Sequence, residues 1–182
     1  MGLFPEVGFN PTSSFVSTHG PGCEAGYNTT LGGGVAGSNT LAQNRLFLMT
    51  VEIETPTVFV EMGWHNGATS AGNCAAGIYT LSGIRLDYTA QTAQGTVSVA
   101  QGAALTNANV RLMPGLYYFC FGSDSATATF WRSGANLNLL KIWGMAQVAA
   151  GYANPLPATI TPAWPLSGSL CPVVWASTVS VQ

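Results

Sequence analysis

The residues of this 182-residue chain that could do chemistry are few: two histidines, seven acidic residues and four cysteines. His65 could join a serine and Asp87 or Asp124 in a triad, with the imidazole taking the serine proton and the carboxylate orienting the ring. No G-x-S-x-G elbow accompanies it, and serines are abundant enough to make any pairing unspecific. His19 lies far away, in a Gly/Pro-rich stretch. Asp124, inside Gly122-Ser123-Asp124-Ser125, reads as a turn former. Glu52, Glu54 and Glu61 could pair as glycosidase carboxylates. Glu52 and Glu54 share a face of a regular strand, which is also how a charged strand edge or a solvated face looks. Cys23, Cys74, Cys120 and Cys171 are widely spaced, with no C-x-x-C and no paired histidines, so a zinc site is not expected. They read as buried thiols, Cys120 above all, because it sits in an apolar strand. No glycine-rich run with a lysine links a strand to a helix, which leaves no P-loop. The residues therefore predict no enzyme activity, no metal and no cofactor.

Aromatic side chains are the stronger candidates. Trp64, Trp131, Trp143, Trp164 and Trp175 are joined by six tyrosines. A sugar site needs a flat ring to stack on and polar groups beside it. Trp64-His65-Asn66 and Trp131-Arg132 provide both near expected strand ends, and are the candidate glycan or partner contacts. Tryptophan also fills cores and subunit contacts because it buries a large area. That reading competes at each position.

The elements that would carry these residues are strands. Leu46–Ile53 and Pro56–Trp64 come first, the second alternating Val58, Val60 and Met62 with Thr57, Phe59 and Glu61. His65-Asn66-Gly67 reads as a turn in which Asn-Gly accepts positive φ. Further strands are expected over Cys74–Leu81, Ile84–Thr92, Thr96–Ala100, Val110–Leu112, Leu116–Gly122 and Thr127–Arg132, with Pro114-Gly115 as a type II turn. Leu137–Ala149 is the only stretch with helical character. Gly151–Pro165 reads as a Pro-rich linker laid over the surface, and Val173–Val181 as a closing strand. Short, frequent strands between turn residues predict an all-β fold, an antiparallel jelly-roll-like β-sandwich, with the last strand returning to the start of the domain.

Residues 1–44 differ from the rest. Phe4, Val7, Phe9 and Phe15 are scattered among Gly, Pro, Ser and Thr without period, and Gly32-Gly33-Gly34 is a joint. This segment is expected to be an extended arm whose four apolar anchors make assembly contacts, because isolated anchors do not offset the entropy of ordering such a chain. The sandwich is expected over residues 45–182.

Hydrophobic residues make up 47% of the chain and charged residues 7%, against roughly 25% charged in ordinary globular proteins. Disordered chains are charged and poor in aromatics, so disorder is excluded. A surface with so little charge suits a protein that buries much of itself against other subunits. A net charge of -2 argues against nucleic acid as a partner. No apolar run approaches the roughly 18 residues of a spanning helix, so no membrane is expected, and no secretory signal is visible. Met1-Gly2 opens like a myristoylation motif, but Glu6 stands where Ser or Thr is needed. Asn28-Thr29-Thr30 is a lone glycosylation acceptor without a secretory route.

Gly77-Ile78-Tyr79, then Thr96-Val97-Ser98-Val99, then Leu112-Met113-Pro114-Gly115-Leu116-Tyr117-Tyr118, together resemble jelly-roll domains of tailed-bacteriophage virion surface proteins. Those domains occur in capsid decoration (cement) proteins and in head and tail fibres. The resemblance spans roughly residues 46–132 and brings no catalytic residues. It implies a homotrimer on the virion surface, assembled in the host cytoplasm, whose partners are the major capsid protein or another virion protein. A capsid decoration protein is the first expectation. A fibre tip recognising host-surface glycan is the second, and a small carbohydrate-binding lectin the third.

Overall fold

The computed structural model describes residues 15–17, 35–107, 109–133, 145–148, 151–163, 171–172 and 174–179. These residues are all-β. The strands are β1 (Phe15–Ser17), β2 (Val35–Thr40), β3 (Leu46–Ile53), β4 (Thr57–His65), β5 (Asn73–Thr80), β6 (Arg85–Tyr88), β7 (Thr92–Ala93), β8 (Ala100–Ala104), β9 (Val110–Leu112), β10 (Gly115–Ser123), β11 (Thr129–Ser133), β12 (Met145–Val148), β13 (Cys171–Pro172) and β14 (Val174–Val179).

They form antiparallel sheets. A five-stranded sheet runs β1-β14-β4-β8, with β9 also on β4. A six-stranded sheet runs β12-β3-β10-β5-β6, with β7 also on β5. From β3 to β5, and again from β7 through β8 and β9 to β10, the chain passes from one sheet to the other and back. The last strand then slots between the first and the fourth. This is the order of two interlocked Greek keys, a jelly roll. A small third sheet, β13-β11-β2, is tied to the end of β4 by a bridge between Asn66 and Phe130.

Alternation along the strands builds two cores on opposite faces of the six-stranded sheet. In β3, Phe47, Met49, Val51 and Ile53 point inward to meet Phe59, Met62, Trp64, Val174 and Ala176 of the facing sheet. In β10, Phe119 and Phe121 do the same, with Phe119 edge-on to Phe59 at 5.7 Å. The other parity, Leu46, Leu48, Tyr118, Cys120 and Tyr79, points outward and would face water on an open sandwich. It is covered instead by Tyr152, Leu156 and Ile160 of the Pro-rich segment. That segment is held to the β5–β6 corner by backbone bonds from Arg85 to Ala158 (2.9 Å) and from Ile160 to Gly83 (2.8 Å). The Tyr79 hydroxyl donates to the Pro157 carbonyl at 2.8 Å, and the Arg85 guanidinium donates to that of Leu156.

Gly83 makes this corner possible. Its φ is 83°, and a Cβ there would collide with the Ile160 carbonyl oxygen. Gly83→Ala is expected to cost about 2 kcal/mol by combining left-handed strain with that collision. It should also make residues 151–163 the first site cut in limited proteolysis; unchanged stability and cleavage would show that the corner yields easily.

Several local expectations are corrected. The asparagine of His65-Asn66-Gly67 does not turn. The strand runs on through His65, and Asn66 is 1% exposed and bridged to Phe130. The left-handed residue of that region is Ser98, at φ 56°, so residues 96–99 are turn rather than strand and β8 starts at Ala100. Pro114-Gly115 is not a type II turn but a bend, with Gly115 at φ 155° already in β10, that hands the chain from β9 in one sheet to β10 in the other. Within the helical candidate, residues 145–148 are a strand on β3, because Met145 to Val148 pair with Met49 to Leu46 along an otherwise open edge. Residues 137–144 and 149 lie outside the described part. In the N-terminal segment, residues 15–17 pair with β14 and residues 35–40 with β11 of this same chain.

Candidate functional site

The sequence candidates fall into three places. Phe4, Val7 and Phe9 lie outside the described residues, as do His19, Cys23, Asn28, Trp143 and Trp164. Phe15 opens β1 opposite Ser177. Trp64, His65, Asn66 and Trp131 do come together, at the end of the sandwich where the bridge joins β4 to β11. The His65 ring meets that of Trp131 edge-on, with centroids 5.7 Å apart. Arg132 is placed by its backbone, opposite Pro172.

Burial then sorts this group. Trp64 is wholly buried, its indole tilted on Phe121 at 5.3 Å, so it has no face to offer a ligand. Asn66 is buried too, and its amide works on the fold. Its Nδ2 donates to the Thr96 carbonyl (3.1 Å) and to Gln101 Oε1 (2.9 Å). Gln101 Oε1 also accepts from the Gly95 amide, and Gln101 Nε2 donates to the Ala93 carbonyl. This network holds the β7–β8 loop against the end of β4. Asn66 Oδ1 and the indole nitrogens of Trp64 and Trp131 are buried without a hydrogen-bond partner among the described residues. Of the group, His65 is at the border of burial and Trp131 is half-buried.

The candidate catalytic pairs do not assemble. His65 Nδ1 lies 2.9 Å from the Asn66 carbonyl oxygen, whereas Asp87 belongs to β6 in the other sheet. Asp87 is fully engaged there, accepting from Thr106 Oγ1, from the Asn107 amide and from Asn107 Nδ2 (3.0 Å). Asp124 accepts from the Asn73 amide (2.7 Å), Asn73 Nδ2 (2.8 Å) and Gln91 Nε2 (3.2 Å), which ties the β10–β11 turn to β5 as a turn former would. Among the described residues no group of His, Cys, Asp or Glu is arranged to hold a metal. Cys74 and Cys120 are buried free thiols on opposite faces of the six-stranded sheet. Burial pushes the Cys74 thiol up to about 12, with Asp124 adding to the rise, and raises that of Cys120 as well. Burial likewise raises the Tyr79 phenol, and lifts that of Tyr152 to about 12.

A different set of side chains gathers on the outer face of the five-stranded sheet. Strands β14, β4 and β8 lie side by side there. Their register aligns Trp175, Gly63 and Gly102 in one row of that face and Ser177, Glu61 and Ala104 in the next. The Trp175 indole lies across its row. A Cβ on Gly63 would collide with Cζ2 and Cε2 of the ring, and one on Gly102 would come within 2.9 Å of Cη2. Two glycines in neighbouring strands thus clear a bed for one tryptophan. Glu61 Oε1 crowds the same point above Gly102, and Ser177 Oγ donates to Glu61 Oε2 at 3.2 Å. His65 follows on the same face, two residues beyond Gly63, and leads to Trp131. Sequence reading marked His65 and Trp131 but missed Trp175, Glu61 and Ser177 as neighbours, because β4 and β14 are joined only through the tertiary pairing. The signal that could have found them was a glycine inside each of two strands, Gly63 in β4 and Gly102 in β8.

Comparison with known protein families, with curated proteins and with solved structures gives no match for this chain.

Proposed function

We propose that this protein is a structural accessory subunit of a bacteriophage virion, a decoration protein that binds and stabilises the outer capsid surface, and that it works as an oligomer, a homotrimer by the resemblance. One observation carries the reading: the sandwich has an apolar end, and β1 begins on the side of that end. Leu81, Ile84, Met113 and Leu116 are 45%, 54%, 54% and 48% exposed. All four lie at one end, in the β5–β6 hairpin and at the β9–β10 bend. The register extends from Tyr117 opposite Thr80 to Leu116 beside Leu81. β14 runs toward this end, where Val179 pairs with Val58. β1 is antiparallel to it, from Phe15 opposite Ser177 to Ser17 opposite Trp175, so the first residue of β1 is the one nearer the apolar end. Phe9 stands six residues before Phe15, a reach of up to about 20 Å, and Phe4 can reach roughly 35 Å. Exposed apolar side chains at this pole, within the reach of Phe4 and Phe9, on a sheet domain from a chain with 7% charged residues suit a subunit held by its neighbours.

Removing residues 1–14 spares every described strand. The shortened protein is expected to keep its melting temperature and to lose co-sedimentation with capsids of the phage that encodes it. Capsids assembled without the protein should release DNA at lower temperature. Attachment that persists without residues 1–14 counts against the arm. Capsids that resist heat unchanged, while host adsorption collapses, would point to a fibre tip instead. Light scattering of the purified protein checks the trimer; a stable monomer at micromolar concentration overturns it.

A further inference from the structure

We propose that the apolar pole is the seat for the N-terminal residues of a second copy of this chain, so that Phe4 and Phe9 of one copy lie across Leu81, Ile84, Met113 and Leu116 of the next. This deepens the reading above by naming what holds the copies together; it rests on the oligomer in that reading and not on the capsid.

Large apolar side chains left about half exposed gain from burial when a matching surface meets them. These four are held in position by local hydrogen bonds. Leu81 and Ile84 flank the β5–β6 turn, where the Thr80 amide donates to the Ile84 carbonyl (2.9 Å), the Gly83 amide to that of Thr80 (2.9 Å) and the Ile84 amide to Thr80 Oγ1 (3.1 Å). Met113 and Leu116 flank the β9–β10 bend, where the Tyr117 hydroxyl donates to the Met113 carbonyl at 2.9 Å. A surface fixed in this way loses little freedom on binding. Residues 1–14, which precede β1, match it in kind: they include Phe4, Val7 and Phe9 and a single charged side chain, Glu6.

Geometry favours the pole of another copy over the chain's own. β1 is an outer strand of the five-stranded sheet, next to β14. β9, which leads to Met113, lies on the far edge of β4, because β14 takes the near one. That is three strand spacings from β1, roughly 14 Å. Phe15 is level with Glu61 through Ser177, whereas Leu112 is level with Thr57, four residues further along β4 and roughly 13 Å more. Phe9, up to about 20 Å from Phe15, therefore meets its own pole only on a chain pulled straight across the end of the sandwich. Such a chain has no slack to lay two phenyl rings among four side chains. A neighbour imposes no such limit. The arm leaves from one side of the sandwich and the pole lies toward the other, so the contact joins two different surfaces of the same chain. A heterologous contact of this kind closes into a ring where the rotation allows, and a ring of three is a homotrimer.

Light scattering of the full-length protein, purified without capsids, tests the contact. The parent is expected to be an oligomer. Met113→Asp/Leu116→Asp at the pole and Phe4→Ser/Phe9→Ser in the arm should each weaken self-association at least about tenfold. Circular dichroism checks that each variant is folded, and Leu81→Ser/Ile84→Ser replaces the first pair if it is not. When Phe9→Cys chains and Leu116→Cys chains are produced together in one cell, oxidation is expected to join the two introduced thiols, which lie on different chains. Absence of that disulfide, a monomeric parent, or association unchanged in either folded pair overturns the proposal. An oligomer that survives the pole variants leaves the trimer standing without this contact. A parent that associates through arm and pole yet neither binds nor protects capsids overturns the decoration reading alone.

Discussion

Phe121→Ala is expected to lower stability by about 3–5 kcal/mol and the melting temperature by roughly 10 °C. Phe121 is wholly buried where three elements meet. Its ring lies 5.3 Å from that of Trp64 in β4 and 4.9 Å, nearly perpendicular, from that of Phe130 in β11. Truncation removes both ring contacts and leaves a cavity that the strands cannot close, because each is fixed by its ladder of backbone bonds. Chemical denaturation of the two proteins measures the loss. A change below about 1 kcal/mol would mean that the core around Trp64 can collapse into the space.

The second large effect is expected at Asp87. Its carboxylate is 1% exposed and gathers three donors from Thr106 and Asn107, pinning the start of the β8–β9 loop to β6. Asp87→Ala strands those donors away from water and is expected to cost about 3 kcal/mol. Asp87→Asn should recover little, because its amide nitrogen brings two more donors into a cluster that lacks acceptors. Equilibrium unfolding measures both, and amide hydrogen exchange at Thr106 and Asn107 shows whether the loss is local. If the asparagine variant is as stable as the parent, water or another group satisfies the site.

The sequence made the strands legible, but not which strands are neighbours. Leu46–Ile53 and Val110–Leu112 are strands with the bounds read from alternation and turn residues, because both faces of these segments are committed: one to the core, the other to a cover or to solvent. Alternation failed where a tertiary partner overrode local chemistry. Asn66-Gly67 has the composition of a turn, yet Asn66 is drawn into the structure by Gln101, Thr96 and Phe130, none of which is near it in sequence. Met145–Val148 lies within helix-compatible sequence and is a strand because the edge of β3 offers it partners. The Pro-rich segment was legible as a surface strap, since proline bars it from a central strand. What it covers, Tyr79 and Cys120, was not.

The candidate site was legible in kind and misplaced in detail. Tryptophan next to polar residues marks Trp64 and Trp131 equally. The parity of β4 then sends Trp64 into the core and leaves His65 on the outer face. Trp175 carried no such flag, since its polar neighbour Glu61 lies on another strand and Ser177 two positions along its own. A shallow site on a sheet face is assembled across strands, and its composition is visible only after the strands are paired.

The place of β14 between β1 and β4 also sets a timetable for the chain. The six-stranded sheet has β3, β5, β6, β7 and β10 in hand once residue 123 has been synthesised. The facing sheet lacks its central member until residue 179. During that interval one long edge of β4, the strand that carries the core side chains Phe59, Met62 and Trp64, has no strand to pair with. A chain cut short before residue 174 stays in that condition, with an unpaired hydrophobic edge of the kind that recruits other strands. For this protein the last strand acts as the latch of the fold, and an incomplete copy is an aggregation hazard rather than a weaker version of the whole.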